Sequence, residues 1–189
     1  MKPQTLLLPL AVLTTGIVSA QTTTSIPIFN PFFVDDQIAC SPGCSYPGIS
    51  GWICGASNSL FKASTIQYPE APQEGLYVAA IGYSNATGSI LQTLGDTVQA
   101  NAIYVLKVSI GARADYPFTG YLASVMAGNV TLASSNKATP VGGTFVSDVI
   151  EYSSGPTPSQ LGQPLQIFVK SFGTGQVNIA SVSLTMTVK

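Results

Sequence analysis

Apolar positions along this chain alternate with polar ones rather than recurring at helical spacing. In "AIYVLKVSI" (102–110), Tyr104, Leu106, Val108 and Ile110 form a wholly apolar set, while Ile103, Val105, Lys107 and Ser109 form a mixed one. A period of two places the first set on one face of a strand, directed at a core. "TFVSDVIEY" (144–152) opposes Phe145, Ser147, Val149 and Glu151 to Val146, Asp148, Ile150 and Tyr152. "PLQIFVKSF" (164–172) opposes Leu165, Ile167, Val169 and Ser171 to Gln166, Phe168, Lys170 and Phe172. In the closing "QVNIASVSLTMTV" the apolar residues change phase between Ile179 and Val182. That switch predicts a bulge near Ala180 and Ser181.

Shorter strands are predicted at 25–34, 50–54, 76–83, 89–94 and 121–128, separated by Gly, Pro, Asn and Ser. The stretches 134–143 and 153–163 read as surface loops. Apolar residues at helical spacing, uninterrupted by Gly, Pro or β-branched runs, never persist beyond two turns. About eight to ten strands at this spacing predict an all-β fold, an antiparallel β-sandwich.

Composition adds an address. The chain has 189 residues and opens with "MKPQTLLLPLAVLTTGIVSA". Lys2 is followed by an apolar run from Leu6 to Val18 and by the small residues Ser19 and Ala20. This is the pattern of a signal peptide cleaved after Ala20, which leaves a single sandwich domain at 21–189. The expected location is therefore secreted, extracellular or periplasmic. The apolar run is short for a bilayer and no second one follows, so no integral membrane segment is expected after cleavage. Without Lys2, six basic side chains face eight acidic ones, there is no histidine, and Arg113 is the one arginine. Nucleic acid is excluded as a partner, because phosphate binding needs concentrated Lys and Arg. A surface of Ser, Thr, Asn, Gln and Gly suits neutral, hydroxyl-rich polysaccharide.

Cys40 and Cys44 bracket Ser-Pro-Gly and are predicted to pair in an oxidising compartment, with a contribution of about 2 kcal/mol. Cys54 is left over, either as a buried thiol or as a competitor for one partner. Zinc is disfavoured because histidine is missing.

The order of "IFNPFFVDD", "GISGWICG", "PQEGLYVAAIG", "GSILQTLGDTVQANAIYVLKVSIGARAD", "YLASVMAGN" and "VNIASVSLTM" carries a resemblance. It resembles exported bacterial proteins with a galactose-binding-like jelly roll, of the kind found among PEP-CTERM-associated proteins. It is also similar to the plant cell-wall family of unknown function with the same sandwich. The resemblance covers nearly all of 21–189 and implies a jelly-roll topology. Members that hold a structural calcium draw carboxylates from the end of the first strand and from the last. Here Ile179-Ala180-Ser181-Val182 offers no acid and only Asp35 and Asp36 remain, so no cofactor is expected and calcium has thin support. Lys189 follows directly on the last strand, so no sorting tail is expected.

Candidate chemistry centres on "SIGARADYPFTGY" (109–121). Arg113 and Asp115 are two apart, so in extended chain they share a side and can pair. With Pro117 and Gly120 as turn residues, 112–119 reads as a hairpin connection. The resembling families show a comparable Gly-x-Arg-x-Asp, which implies a loop brace. The alternative is a sugar-facing set of Arg113, Asp115 and Tyr116, with Tyr116 or Phe118 as a stacking face. Trp52 reads either as core or as a stacking platform. Tyr68 and Tyr83 flank turns and are expected to be exposed, and Tyr77 to be buried. The candidate ligand-binding residues are thus Arg113, Asp115, Tyr116, Trp52 and Tyr83.

Catalysis finds no signature. Without histidine there is no Ser-His or Cys-His nucleophile system. Glu70 and Glu74 lie in a Pro-rich loop, Asp148 and Glu151 on opposite faces of one strand, and all read as solvated surface acids. Asn85-Ala-Thr and Asn129-Val-Thr match the glycosylation pattern, which matters in a eukaryotic secretory pathway. The expected function is a non-catalytic module for carbohydrate binding or surface adhesion. The alternative is a structural or assembly protein that self-associates through sheet edges blunted by few charges.

Overall fold

A computed structural model describes residues 21–70, 76–83 and 86–188. The leader at 1–20, Glu74, Asn85 and Lys189 lie outside the described residues. Among those described, no helix is long and apolar enough to cross a membrane.

Twelve strands are present among the described residues: β1 Thr22–Ile26, β2 Ser45–Tyr46, β3 Ile53–Cys54, β4 Asn58–Lys62, β5 Tyr77–Ile81, β6 Ser89–Thr97, β7 Ala102–Ala112, β8 Tyr121–Ala127, β9 Val130–Ser135, β10 Thr144–Ser153, β11 Pro164–Ser171 and β12 Val177–Val188. They form two antiparallel sheets. The larger runs β10-β7-β12-β5-β4-β2, with β1 also paired to β12. The smaller runs β3-β6-β11-β8-β9. One flank of β12 is shared in tandem, by β5 at Val177–Ile179 and by β1 from Leu184 to Val188.

Alternation fixed the inward faces. Tyr104, Leu106, Val108 and Ile110 are fully buried between the sheets, as are Leu165, Ile167 and Val169 from the facing sheet. The register of β12 against β7 shifts between Ile179 and Ser181, at the predicted bulge, and Val182 and Leu184 thereby return to the core.

Other expectations change. The first strand ends at Ile26 instead of reaching 34, because Pro27 and Pro31 remove ladder donors there. The segment 112–119 is no hairpin. β7 belongs to the larger sheet and β8 to the smaller, so the Arg113 segment carries the chain from one layer to the other. Periodicity reports which face of a strand is apolar, and says nothing of which sheet it joins. β9 occupies the start of what reads as loop.

The outer face of the larger sheet is also covered. Leu60, Ala79 and Ile81 point inward, whereas Phe61, Val78 and Ala80 point outward into a second apolar cluster with Ala63, Tyr68, Leu76, Phe145 and Ala180. Tyr68, expected to be exposed, is fully buried here and stacks on Phe145 at 4.3 Å. Gly111 makes this possible: a Cβ there would lie 2.3 Å from the Phe145 ring. Tyr77 is half-buried.

Candidate functional site

A cleft of about 380 Å³ opens beside this outer cluster, at the end of the sandwich where the chain changes sheets. Phe61 and Ala80 come from β4 and β5, Tyr83 from the turn after β5, Arg113 and Tyr116 from the crossing segment, and Gln176 from the turn into β12. Gly43, from the loop closed by Cys40 and Cys44, and Ser45, at the start of β2, form part of the wall.

Arg113 is the centre of the arrangement. Its Nε donates to Asp115 Oδ1 at 2.8 Å and its Nη2 to Asp115 Oδ2 at 2.7 Å, the two-pronged geometry that suits guanidinium and carboxylate. Nη1 donates to Gln176 Oε1 at 3.1 Å. The guanidinium carbon sits 4.8 Å from the centre of the Phe61 ring and 5.5 Å from that of Tyr116. Tyr116 in turn stacks on Tyr83. Phe61, Arg113, Tyr116 and Tyr83 are therefore four planar groups in contact in series, ending on a phenol that is 58% exposed.

The loop that holds Arg113 is braced from behind. Gln67 Nε2 donates to Asp115 Oδ2 at 3.0 Å, and the Ala114 N–H donates to the Gln67 carbonyl at 3.0 Å. The Gln176 N–H donates to Pro117 O at 2.9 Å. That last approach requires Gly175, whose φ is +141° and where a Cβ would lie 2.4 Å from Pro117 O. The Arg113 hydrogen bonds, foremost, hold the Asp115 carboxyl at about 2, well below its ordinary 3.8. Asp115 is thus an anion at neutral pH and no proton donor. Deeper in, Asn178 donates to the Tyr68 hydroxyl at 2.7 Å, and burial pushes that phenol above its ordinary range.

Of the sequence-predicted residues, Arg113, Asp115, Tyr116 and Tyr83 come together here. Trp52 does not. It is buried against Phe33, its indole N–H donates to the Asn30 carbonyl at 3.3 Å, and it is no exposed platform. Cys40 and Cys44 are bonded to one another, and Cys54 is a half-buried free thiol raised in pKa chiefly by burial. Asp36 accepts from both the backbone and the hydroxyl of Ser50, so it braces a loop. No three of His, Cys, Asp and Glu gather as a cation site among the described residues. Asp148 is no solvated surface acid: it is buried and accepts from the Tyr121 and Ser135 hydroxyls. Sequence reasoning missed Phe61, Gln67 and Gln176. Phe61 was hidden because "NSLFK" lacks clean alternation, and the two glutamines carry no motif.

The sequence matches the HpiC1-like family, described as HpiC1 cyclase, over residues 24–185. The chain belongs to the HpiC1-like cyclase family. A sequence search of curated proteins finds no match. Among solved structures it is similar to the Stig cyclase Fisc from Fischerella sp. TAU in complex with (3Z)-3-(1-methyl-2-pyrrolidinylidene)-3H-indole, at 23% identity and TM-score 0.76, covering 87% of this chain and 98% of that one. A cyclase from Fischerella sp. TAU in complex with 4-(1H-indol-3-yl)butan-2-one aligns at 25% identity and TM-score 0.71, covering 86% and 97%. The module TmCBM61 in complex with β-1,4-galactotriose aligns at 14% identity and TM-score 0.53, covering 85% and 98%.

The jelly-roll sandwich implied by the sequence is the fold of this family. The expected function is corrected. Membership of a cyclase family overturns both the non-catalytic carbohydrate-binding or adhesion module and its alternative, the assembly protein. The first expectation rested on a neutral, hydroxyl-rich surface, the second on sheet edges with few charges, and the absence of catalysis on missing histidine. The same sandwich carries sugar-binding modules and cyclases alike, and ring closure needs no nucleophile system.

Proposed function

We propose that the protein is a cyclase that closes a ring on an indole-like small molecule held in the Arg113 cleft. The series Phe61–Arg113–Tyr116–Tyr83, in a member of the HpiC1-like cyclases, carries this reading. A flat aromatic ligand extends the series by stacking on the exposed face of Tyr83.

The chemistry asked of such a site is modest. When the alkene of a side chain on an indole takes up a proton from solvent, its π bond opens and a bond forms between the cationic carbon and the ring. A ring proton then leaves, so the product has the mass of the substrate. The protein has to hold the flexible side chain folded onto the ring, which removes much of the entropic barrier. It has also to steady positive charge, which the exposed ring of Tyr83, at the end of the series away from Arg113, does by cation–π attraction. Asp115 pairs with Arg113 from behind, which fixes the guanidinium in place and weakens its field at the far end of the series.

The leader pattern at 1–20 and the resemblance to exported jelly-roll proteins support a secreted or periplasmic location for this activity. The test is incubation of the purified chain with indoles bearing C3 alkenyl chains of graded length, read by mass spectrometry and NMR. A product of unchanged mass with a new ring is expected. Failure of every indole to bind or turn over overturns the reading.

A further inference from the structure

Arg113 has donors that its partners do not use. A guanidinium carries five N–H groups. Among the described residues, three are engaged: Nε and one from Nη2 with Asp115, and one from Nη1 with Gln176. One N–H remains on Nη1 and one on Nη2, the two nitrogens at the tip of the side chain. Arg113 lines the cleft, and its guanidinium lies against the rings of Phe61 and Tyr116, which line it too.

The rest of the lining holds no opposing charge. Among the described residues it consists of small, hydroxyl, amide and aromatic side chains, with Arg113 as its charged member and no Asp or Glu. Asp115 lies behind, both its oxygens committed to Arg113 and one of them also to Gln67. A positively charged ligand group would therefore meet Arg113 with no free carboxylate to receive it. An oxygen acceptor would meet a fixed donor already aligned by two rings, Asp115 and Gln176, at little further ordering cost.

We infer that Arg113 is a specificity-determining residue, and that the ligand is an indole-like ring whose side chain carries an oxygen acceptor, a carboxylate or a ketone carbonyl. This rests on the cyclase reading of the same cleft. Tyr83 and Tyr116 recognise the ring, which many compounds share. Arg113 recognises the tail, which separates them.

The test is a calorimetric titration of the full chain at neutral pH with four indoles of similar size. These are 3-butylindole, 4-(1H-indol-3-yl)butan-2-one, indole-3-butyrate and 3-(4-aminobutyl)indole. The butyrate should bind about tenfold or more tightly than 3-butylindole, as expected of a charged, paired hydrogen bond, with the ketone between them and the ammonium weakest. Arg113→Gln should level butyrate with 3-butylindole, and Arg113→Lys should restore part of the difference. Equal binding of butyrate and 3-butylindole, or tightest binding of the ammonium, overturns the inference while leaving the aromatic cleft intact. Failure of all four to bind removes the cleft reading and this inference together. The ligand series on the unaltered protein decides the matter even where Arg113→Gln does not fold.

Discussion

The ring of Tyr83 lies 5.2 Å from that of Tyr116, centre to centre, with the two planes 9° from parallel. Tyr83 follows β5 in the larger sheet, and Tyr116 sits on the segment that leaves that sheet for the other. Their stacking ties two loops distant in sequence into one wall. Tyr83→Ala removes an exposed ring that contributes little to the core. Affinity for 4-(1H-indol-3-yl)butan-2-one should fall by up to about tenfold, the worth of an aromatic pair, while the melting temperature hardly moves. Calorimetry and a thermal melt on the same sample check both halves.

Asp115 links the cleft to acid stability. Its folded-state pKa is depressed, from 3.8 to about 2, foremost by the Arg113 hydrogen bonds. The folded chain therefore holds this proton less tightly than the unfolded chain does. The resulting stabilisation is complete above about pH 4 and disappears as pH falls towards about 2. The gap in melting temperature between the unaltered protein and Asp115→Asn should accordingly be widest near neutrality and narrow across that interval. A constant gap would show that the Arg113 pairing contributes nothing.

Tyr121 and Asp148 make a second polar cluster, whose residues are not part of the cleft lining. The Tyr121 hydroxyl donates to Asp148 and accepts from the Ala138 N–H at 3.0 Å, while Ser135 donates to the other Asp148 oxygen at 2.9 Å. Tyr121→Phe strips Asp148 of one donor and leaves the Ala138 N–H without an acceptor. A loss of about 1–3 kcal/mol or more is expected in urea unfolding, with indole binding unchanged.

The Cys40–Cys44 loop is pinned to β4, since the Gly43 N–H donates to Lys62 O, the Lys62 N–H to Cys44 O and Lys62 Nζ to Cys40 O. The same loop supplies Gly43 to the cleft and leads directly into Ser45, which also lines it. Replacing both cysteines by serine should cost about 2 kcal/mol of stability on the chain-entropy estimate and weaken indole binding. Dithiothreitol on the unaltered protein should reproduce both effects.

The strands that alternate, β7, β10, β11 and β12, were legible because one of their faces meets a core and selection for that burial writes a period of two into the chain. β2 and β3 are two residues each, too short for any period, and β4 has apolar neighbours on both faces, so Leu60 and Phe61 are both buried. Arg113 stood out by its rarity and Asp115 by its spacing. Gln67 and Gln176 had no such marker, for their roles depend on loops brought together only in three dimensions. Trp52 read as core or as platform because ring size says nothing of exposure, and the structure bears out the core. The Arg113 cleft left nothing catalytic to read for a chemical reason: π faces and one balanced ion pair carry no nucleophile, base or metal motif.

The crossing of the Arg113 segment between layers gives the cleft an unusual dependence on completion. Its parts come from the disulfide loop, β4, the turns after β5 and before β12, and the crossing itself, so they are drawn from residues 43 to 176 and no short segment holds the cleft. Whatever occupies it binds the finished molecule alone. Occupancy then adds to the free energy of unfolding by mass action, about 2.7 kcal/mol at a hundred times the dissociation constant. The lifetime of the folded protein is thereby coupled to the supply of its own ligand.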